Sequence, residues 1–377
     1  VNGTHSNEVT YRALTPSDGE RINDLYARAY GRRRTLGQWR WEFADAPGGG
    51  PVLWAAEAGQ RLVGHYALIP LEMSFFGQPV KGAKAESAMV DPEYRGRGIC
   101  SCLVERTLGD ARQKGMSVIW GFPNPRSFRI MERSGRIHIG GLYGYVRILR
   151  RTRVLRAYLR RRWRRSGESP GARRPEVWEA MIDRPSGEQA LQVVDRFDER
   201  FEELWERGRD RLGITVERSR EYLKWRFEDN PHGRYLILTH GPKGGPCSGY
   251  MIATLKREGH LLIGYIVDFL FAGEKPEIFS SLLIETLERL GAGGADMAIL
   301  FLNPVHPLCQ PLLPVLKRQH FHRRNRPKRF SIKVFSGEDV SPGEDVSPGE
   351  GSDDRRRQWH RMENWYLTGA FGEGLEY

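Results

Sequence analysis

Apolar side chains recur along this chain in two rhythms, every third or fourth residue and every second residue, and the two alternate in an order that is used twice. Thr15-Pro16-Ser17-Asp18 reads as a helix start, with proline suited to the first turn, and Ile22, Leu25, Tyr26 and Tyr30 supply the apolar face behind it. After Trp39-Arg40-Trp41-Glu42-Phe43 and the breaker Pro47-Gly48-Gly49-Gly50-Pro51, strand-like runs occupy residues 52–56, 62–69 and 72–76, and a further run reaches Val90. Pro92 ends it, because proline cannot donate to a central ladder. Leu103, Val104, Thr107, Leu108 and Ala111 then share a helix face within residues 101–114, Gly115 stops the helix, and residues 118–122 form a strand.

The second half repeats this order. Phe201, Leu204 and Trp205 mark an amphipathic helix. Trp225-Arg226-Phe227 with Pro231 then echoes Trp41-Glu42-Phe43 with Pro47, at one displacement of 184 (225 − 41 and 231 − 47). Strands are expected at residues 235–239, 249–255 and 261–269, with Val267-Asp268 where Val90-Asp91 stood. A helix carrying Ile278, Leu282, Leu283, Thr286, Leu287 and Leu290 follows, then a strand over residues 298–302 into Asn303-Pro304, which mirrors Asn124-Pro125. Self-similarity over more than a hundred residues is a duplicated fold, since solenoid periods are much shorter.

Chemistry concentrates in the turn between the strand ending at Val90 and its helix, Asp91-Pro92-Glu93-Tyr94-Arg95-Gly96-Arg97-Gly98-Ile99-Cys100. Glycines let the backbone approach a ligand closely, and the helix behind aims unpaired N–H groups and its positive dipole end into the turn. Two arginines complete an anion cradle. The spacing fits neither a P-loop, which needs Gly-Lys-Ser/Thr, nor the Gly-x-Gly-x-x-Gly of dinucleotide folds. It resembles the pyrophosphate loop of the GNAT acyltransferase superfamily, Arg/Gln-x-x-Gly-x-Gly/Ala after Val-x-Pro-Glu-Tyr; Arg95, Gly98 and residues 90–94 match, while Cys100 stands where Gly or Ala is usual. An ordinary basic strand-to-helix turn is the plainer alternative.

The resemblance covers residues 10–335 and implies an α/β protein of two tandem GNAT-like domains, each a mixed, mostly antiparallel sheet flanked by helices. The expected division is 8–150 for a first domain with the acyl-CoA site, 151–175 for an arginine-rich helix and linker, 176–335 for a degenerate second domain, 336–354 for an acidic linker, and 355–377 for a segment that packs back through Trp359, Met362, Trp365, Tyr366 and Leu367. The second copy is degenerate because Phe269-Leu270-Phe271-Ala272-Gly273-Glu274-Lys275 has one glycine and no arginine where the cradle should be. One cofactor site per chain follows.

The activity implied is acyl transfer, most often from acetyl-CoA, to a small amine such as an amino sugar, with no metal. Arg95, Gly96, Arg97, Gly98, Ile99, Cys100 and Ser101 would hold the pyrophosphate, Met89 and Val90 would pair with the pantetheine arm, and Asn124 would lie near it or be a turn residue before Pro125. Glu86 is the candidate general base, or else a partner for Lys84. The family's tyrosine acid falls at Met131, so Tyr66, Tyr143 or Tyr145 would have to replace it, and His306 is the next candidate base. Two other functions stay open: aminoacyl or peptide transfer of the cell-wall-assembly type, which also uses duplicated GNAT-like folds, and non-catalytic binding of CoA or a polyanion.

Composition adds partners and compartment. A net charge of +12 and a pI of 9.7 favour polyanions. Residues 150–165 form a helix with Val154, Leu155, Tyr158, Leu159 and Trp163 on one face and arginines elsewhere; it can lie on an anionic membrane surface, grip nucleic-acid phosphates, or pack its stripe on a domain. A membrane surface is preferred to nucleic acid because no base-stacking aromatic array accompanies the charge. Four cysteines without a C-x-x-C pair, no basic-then-apolar leader and no membrane-length apolar run lead us to expect a cytoplasmic protein, and Asn2-Gly3-Thr4 to be a chance sequon.

Overall fold

A computed structural model describes residues 8–163, 175–186, 188–273, 275–335 and 350–371. The sequon, the linker after the arginine-rich helix and most of the acidic repeat lie outside them. The chain divides into two compact units, residues 1–140 with 229–231 and 329–362, and residues 141–228 with 232–328 and 363–377. The units thus interleave along the chain.

The first unit runs β1 (Val9–Ala13), α1 (Gly19–Tyr30), α2 (Leu36–Trp39) with a wide turn Arg40–Ala44, β2 (Val52–Ala58), β3 (Arg61–Phe75), β4 (Gln78–Val90), α3 (Ile99–Gln113), β5 (Val118–Gly121) and α4 (Phe128–Arg133). β1 to β4 pair antiparallel in chain order, and β4 and β5 are parallel, with α3 as the crossover. The strand Lys328–Val334 returns to pair antiparallel with β5. Where the sequence pattern breaks at Pro70, the structure has one continuous β3. Pro70 lies two residues beyond Leu68, the last residue that β2 pairs, so its missing N–H interrupts no ladder on that side. Leu103, Val104, Leu108 and Ala111 of α3 pack on Val52, Ala56, Val63, Leu68 and Ala83. Each large side chain so buried contributes about 1.5–3 kcal/mol. The Trp54 indole N–H donates to Asp110 at 2.7 Å and ties α3 to β2. Trp359 of the late segment is buried against Phe75, with ring centroids 4.7 Å apart.

In the second unit, β6 (Ile137–Ile148) leads to α5 (Arg151–Trp163), α6 (Pro175–Ile182), β7 (Leu191–Val194), α7 (Glu199–Gly208), β8 (Ile214–Val216), α8 (Arg220–Leu223), β9 (Leu236–His240), β10 (Gly249–Glu258), β11 (Leu261–Phe271), α9 (Pro276–Ala292) and β12 (Met297–Leu302). β9, β10 and β11 pair antiparallel, and β11 and β12 are parallel across α9. Both units contain a four-residue helix capped by a hydroxyl, Thr35 or Ser219, and continued as a five-residue wide turn, again 184 residues apart (219 − 35). Each unit is therefore α/β with a mixed, mostly antiparallel sheet flanked by helices.

Candidate active site

β4 and β5 pair only from Gly82↔Val118 to Lys84↔Trp120. Beyond that point β4 keeps β3 on one side while β5 turns away, so Ala85 to Val90 present an open backbone edge among the described residues. Within this stretch the register slips between the Ala67↔Glu86 and His65↔Met89 pairs, and Ser87 takes φ 51, a left-handed conformation unusual for a residue with a Cβ. The wedge thus carries a bulge that re-aims the strand.

At its far end Asp91 turns the chain. Its carboxylate accepts from the Glu93 N–H at 3.2 Å, from Arg28 at 2.8 Å and from Arg61 at 2.7 Å. Burial by itself would raise this carboxyl, but the hydrogen bonds from Arg28 and Arg61 outweigh it and hold it below the ordinary range. Gly96 and Gly98 follow at φ 82 and 77, with Gly98 as the cap of α3 and open space where a Cβ would stand. Arg95 donates to the carbonyls of Val90 and Ala29, and Arg97 to that of Glu93 while lying over the Tyr94 ring. Neither guanidinium is paired with a carboxylate among the described residues. Ile99 is buried, Cys100 half-buried and Ser101 exposed on the first turn of α3. From Ser101 a cleft of about 500 Å³ runs along the helix past Glu105, Arg112, Arg133, Lys333 and Phe335.

The structure places Met89, buried, and Val90, half-buried, on the open stretch of β4. Asn124 follows β5, and its side-chain oxygen accepts from the Arg126 and Ser127 N–H groups, so it shapes the turn into α4. Glu86 pairs with buried Lys84 at 2.7 Å. Tyr66 is buried: its hydroxyl points at Met131 Sδ, 3.7 Å away, and accepts from Arg136 Nη1 at 3.4 Å. Burial raises its pKa above 10, so it is protonated at neutral pH. Tyr143 and Tyr145 lie on β6 in the second unit, Tyr143 under Arg323 and Tyr145 buried.

Two groups escaped the sequence reading. Arg136 is one, and no local pattern links it to Tyr66, 70 residues away (136 − 66). The other is His65, buried one residue before Tyr66, with Nδ1 3.1 Å from the Trp54 carbonyl and Nε2 without a partner. Burial pushes it down to about 3, which makes it a feeble proton acceptor. His306 is buried in the second unit against Tyr366, with burial lowering it to about 4.

The second unit also has strands that part. β11 and β12 pair from Ile263↔Met297 to Ile266↔Leu300, and past Ile266 the gap holds residues 367–369 of the chain's end. Thr368 bridges Leu302, Asn303 donates to the Leu367 and Trp365 carbonyls, and Gly369 lies so close that a Cβ would stand 2.9 Å from the Val267 oxygen. Asp268 faces inward to Arg218, Tyr250 and Thr368.

Residues 10–136 match the profile of the acetyltransferase (GNAT) domain. Among solved structures, a GCN5-related N-acetyltransferase from Anabaena variabilis is similar at 15% identity and a TM-score of 0.59, over 87% of this chain and 73% of that one. A GCN5-related N-acetyltransferase from Kribbella flavida is similar at 15% identity and a TM-score of 0.55, over 89% and 72%. Saccharomyces cerevisiae N-myristoyltransferase, solved with myristoyl-CoA, is similar at 12% identity and 0.57, over 87% and 82%. At these identities the likeness is one of fold. No curated protein matches the chain in sequence.

Proposed function

We propose that the first unit transfers an acyl group from acyl-CoA, acetyl-CoA first among donors, to a small amine such as an amino sugar. The observation that carries this is the continuity of the β4–β5 wedge with the glycine and arginine cradle at the start of α3. The open edge of residues 85–90 would bond the pantetheine amides, and the cradle of residues 95–101, with Met89 and Val90 behind it, would take the pyrophosphate. The cationic cleft along α3 suits the phosphate-bearing adenosine end.

Glu86 would accept the proton that an ammonium substrate must lose. The amine lone pair then forms the C–N bond, the C–S bond breaks with its electron pair on sulfur, and Tyr66 supplies a proton to sulfur that the amine nitrogen's second lost proton replaces through solvent. Acyl length is open, since a protein of this fold holds myristoyl-CoA. Glu86→Gln should keep acyl-CoA affinity and lower kcat by roughly 10²- to 10⁴-fold, with partial recovery at high pH. Unchanged kcat together with lost stability would reduce Glu86 to the partner of Lys84. A thermal-shift series with acetyl-CoA, longer acyl-CoAs and aminoacyl donors separates the transferase classes, because a ligand of the folded state raises its stability.

A second reading concerns α5. Leu155, Tyr158 and Leu159 are 59, 67 and 49% exposed rather than packed on a domain, among arginines. This supports an anionic membrane surface as partner, each basic residue near it adding about 1 kcal/mol. Vesicles of phosphatidylserine should pellet the protein at low salt. Pelleting unchanged by Leu155→Ser with Tyr158→Ser would leave α5 a connector.

A further inference from the structure

Arg136 is a cation without a counter-ion. It is 4% exposed, and its Nε has no hydrogen-bond partner. Its other contacts are long: Nη1 to the Tyr66 hydroxyl at 3.4 Å and Met131 Sδ at 3.6 Å, Nη2 to the Ser331 carbonyl at 3.3 Å. No carboxylate pairs with it among the described residues, while Glu86, the acid closest in sequence to this stretch of β4, is engaged by Lys84. A buried charge left in this state costs several kcal/mol unless something offsets it.

Its location says when the offset arrives. Ala85 and Gly121 are the first residues past the last β4–β5 pair, at the apex of the wedge. A Cβ on Gly121 would stand 3.0 Å from Arg136 Nη2 and 3.4 Å from the Ala85 Cβ, so the guanidinium lies close against the apex, where glycine leaves it room. The carboxylate nearest in the chain, Glu86 beside Ala85, is already paired with Lys84, and no described carboxylate pairs with Arg136. In acyl transfer a negative charge is created, when the C–S bond breaks and sulfur keeps the electron pair. Fixed charge aimed at where charge develops is worth most in a dry site.

We propose that Arg136 is a positioning residue for the departing thiolate: through Tyr66 and across the wedge apex, its unpaired charge favours ionised CoA sulfur. Arg136 thereby supplies the electrostatic half of the task that a tyrosine at position 131 would perform, and Tyr66 supplies the proton. Burial lowers the guanidinium's pKa and raises that of the phenol, while the two groups' mutual attraction works against both shifts. The proposal rests on the acyl-CoA reading above.

The test is the ionisation of the thiol of free CoA bound to the whole protein, followed by thiolate ultraviolet absorbance against pH. Bound CoA should ionise at least about tenfold more readily than CoA in solution, as thiols beside arginine do. Arg136→Met should abolish that gain, and Arg136→Lys should restore part of it. Tyr66→Phe should lose the part of the gain relayed through the phenol, keep the part that acts across the wedge apex, and lower kcat. If CoA binds the wild type but its thiol titrates as in solution, the proposal falls and the acyl-CoA reading stands, an outcome independent of whether any variant folds. If Arg136→Met binds CoA with the gain intact, Arg136 merely supports Tyr66. If the wild type binds no CoA, both readings fall.

Discussion

Two pairs of parallel strands part company in this chain, and the two gaps meet opposite fates. In the first unit, β4 leaves β5 after Lys84 and its edge stays open from Ala85 to Val90. In the second, β11 leaves β12 after Ile266, and Leu367 to Gly369 enter the gap and bond to its walls. The two aspartates that correspond in sequence follow suit: Asp91, directly after β4, caps a turn toward a glycine-rich cradle, whereas Asp268, still within β11, is withdrawn into a bidentate pair with Arg218. Parted strands leave backbone groups that need partners. The second unit satisfies them with its own peptide, and the first leaves them open among the described residues, where we propose that acyl-CoA pairs with them. A single frame thus yields a site or a packed core, depending on what the chain inserts.

The comparison breaks most readily at the glycines. Gly98→Asp puts bulk and negative charge where the pyrophosphate would lie, at a φ that disfavours any side chain, and acyl-CoA binding should be lost. Gly273→Asp, in the corresponding stretch of the second unit, should leave affinity unchanged. Calorimetric titration should give one site per chain, and a stoichiometry of two would mean that residues 367–369 can be displaced.

Some of this contrast is legible in the residues alone. Local chemistry writes the cradle, since Arg95, Gly96, Arg97 and Gly98 adjoin in the chain, and the missing glycines and arginines after Asp268 are equally local. The shared frame is visible too, because Trp41 and Trp225 keep their spacing to Pro47 and Pro231. What fills the second gap is not visible. The apolar run Trp365-Tyr366-Leu367 shows only that it must be buried, and its place is set by pairing with Leu302, more than sixty residues away (368 − 302 = 66). Arg136 is hidden for the same reason: a buried arginine looks like a surface one until Tyr66, Gly121 and Ser331 are brought around it. The break expected between residues 69 and 72 misled in the opposite direction: Pro70 stands there, tolerated by its place beyond the end of β2.

A smaller effect should separate stability from binding. Arg218 and Asp268 are both fully buried, and removing one partner leaves the other charged and unpaired. Arg218→Met should therefore cost the second unit about 3–5 kcal/mol, read as faster hydrogen exchange in peptides of β11 and the chain's end. Acyl-CoA affinity should hold. A matching loss of affinity would tie the closed gap to the open one.

The last expected effect is absent at neutral pH, grows only in acid, and differs between the units. His65 in the first and His306 in the second are both held neutral by burial, at about 3 and about 4 against an ordinary 6.5. His65 keeps only its Nδ1 contact to the Trp54 carbonyl; His306 has Nε2 3.3 Å from the Leu212 carbonyl and Nδ1 accepting from the Leu308 N–H at 3.2 Å. Above pH 6.5 neither state of the protein charges these rings, so they contribute nothing to the pH dependence. Below it the unfolded chain binds the proton that the fold refuses, and stability falls by about 1.4 kcal/mol per pH unit for each histidine. For His306 the decline ends near pH 4, while for His65 it continues to about 3. Hydrogen exchange measured from pH 6.5 downward reads the units separately. His65→Gln should flatten the acid decline in peptides of β2 and β3, and His306→Gln should do so in those around residues 303–312. If each substitution flattens both sets alike, the units unfold as one, and the contrast between their gaps does not extend to their stability.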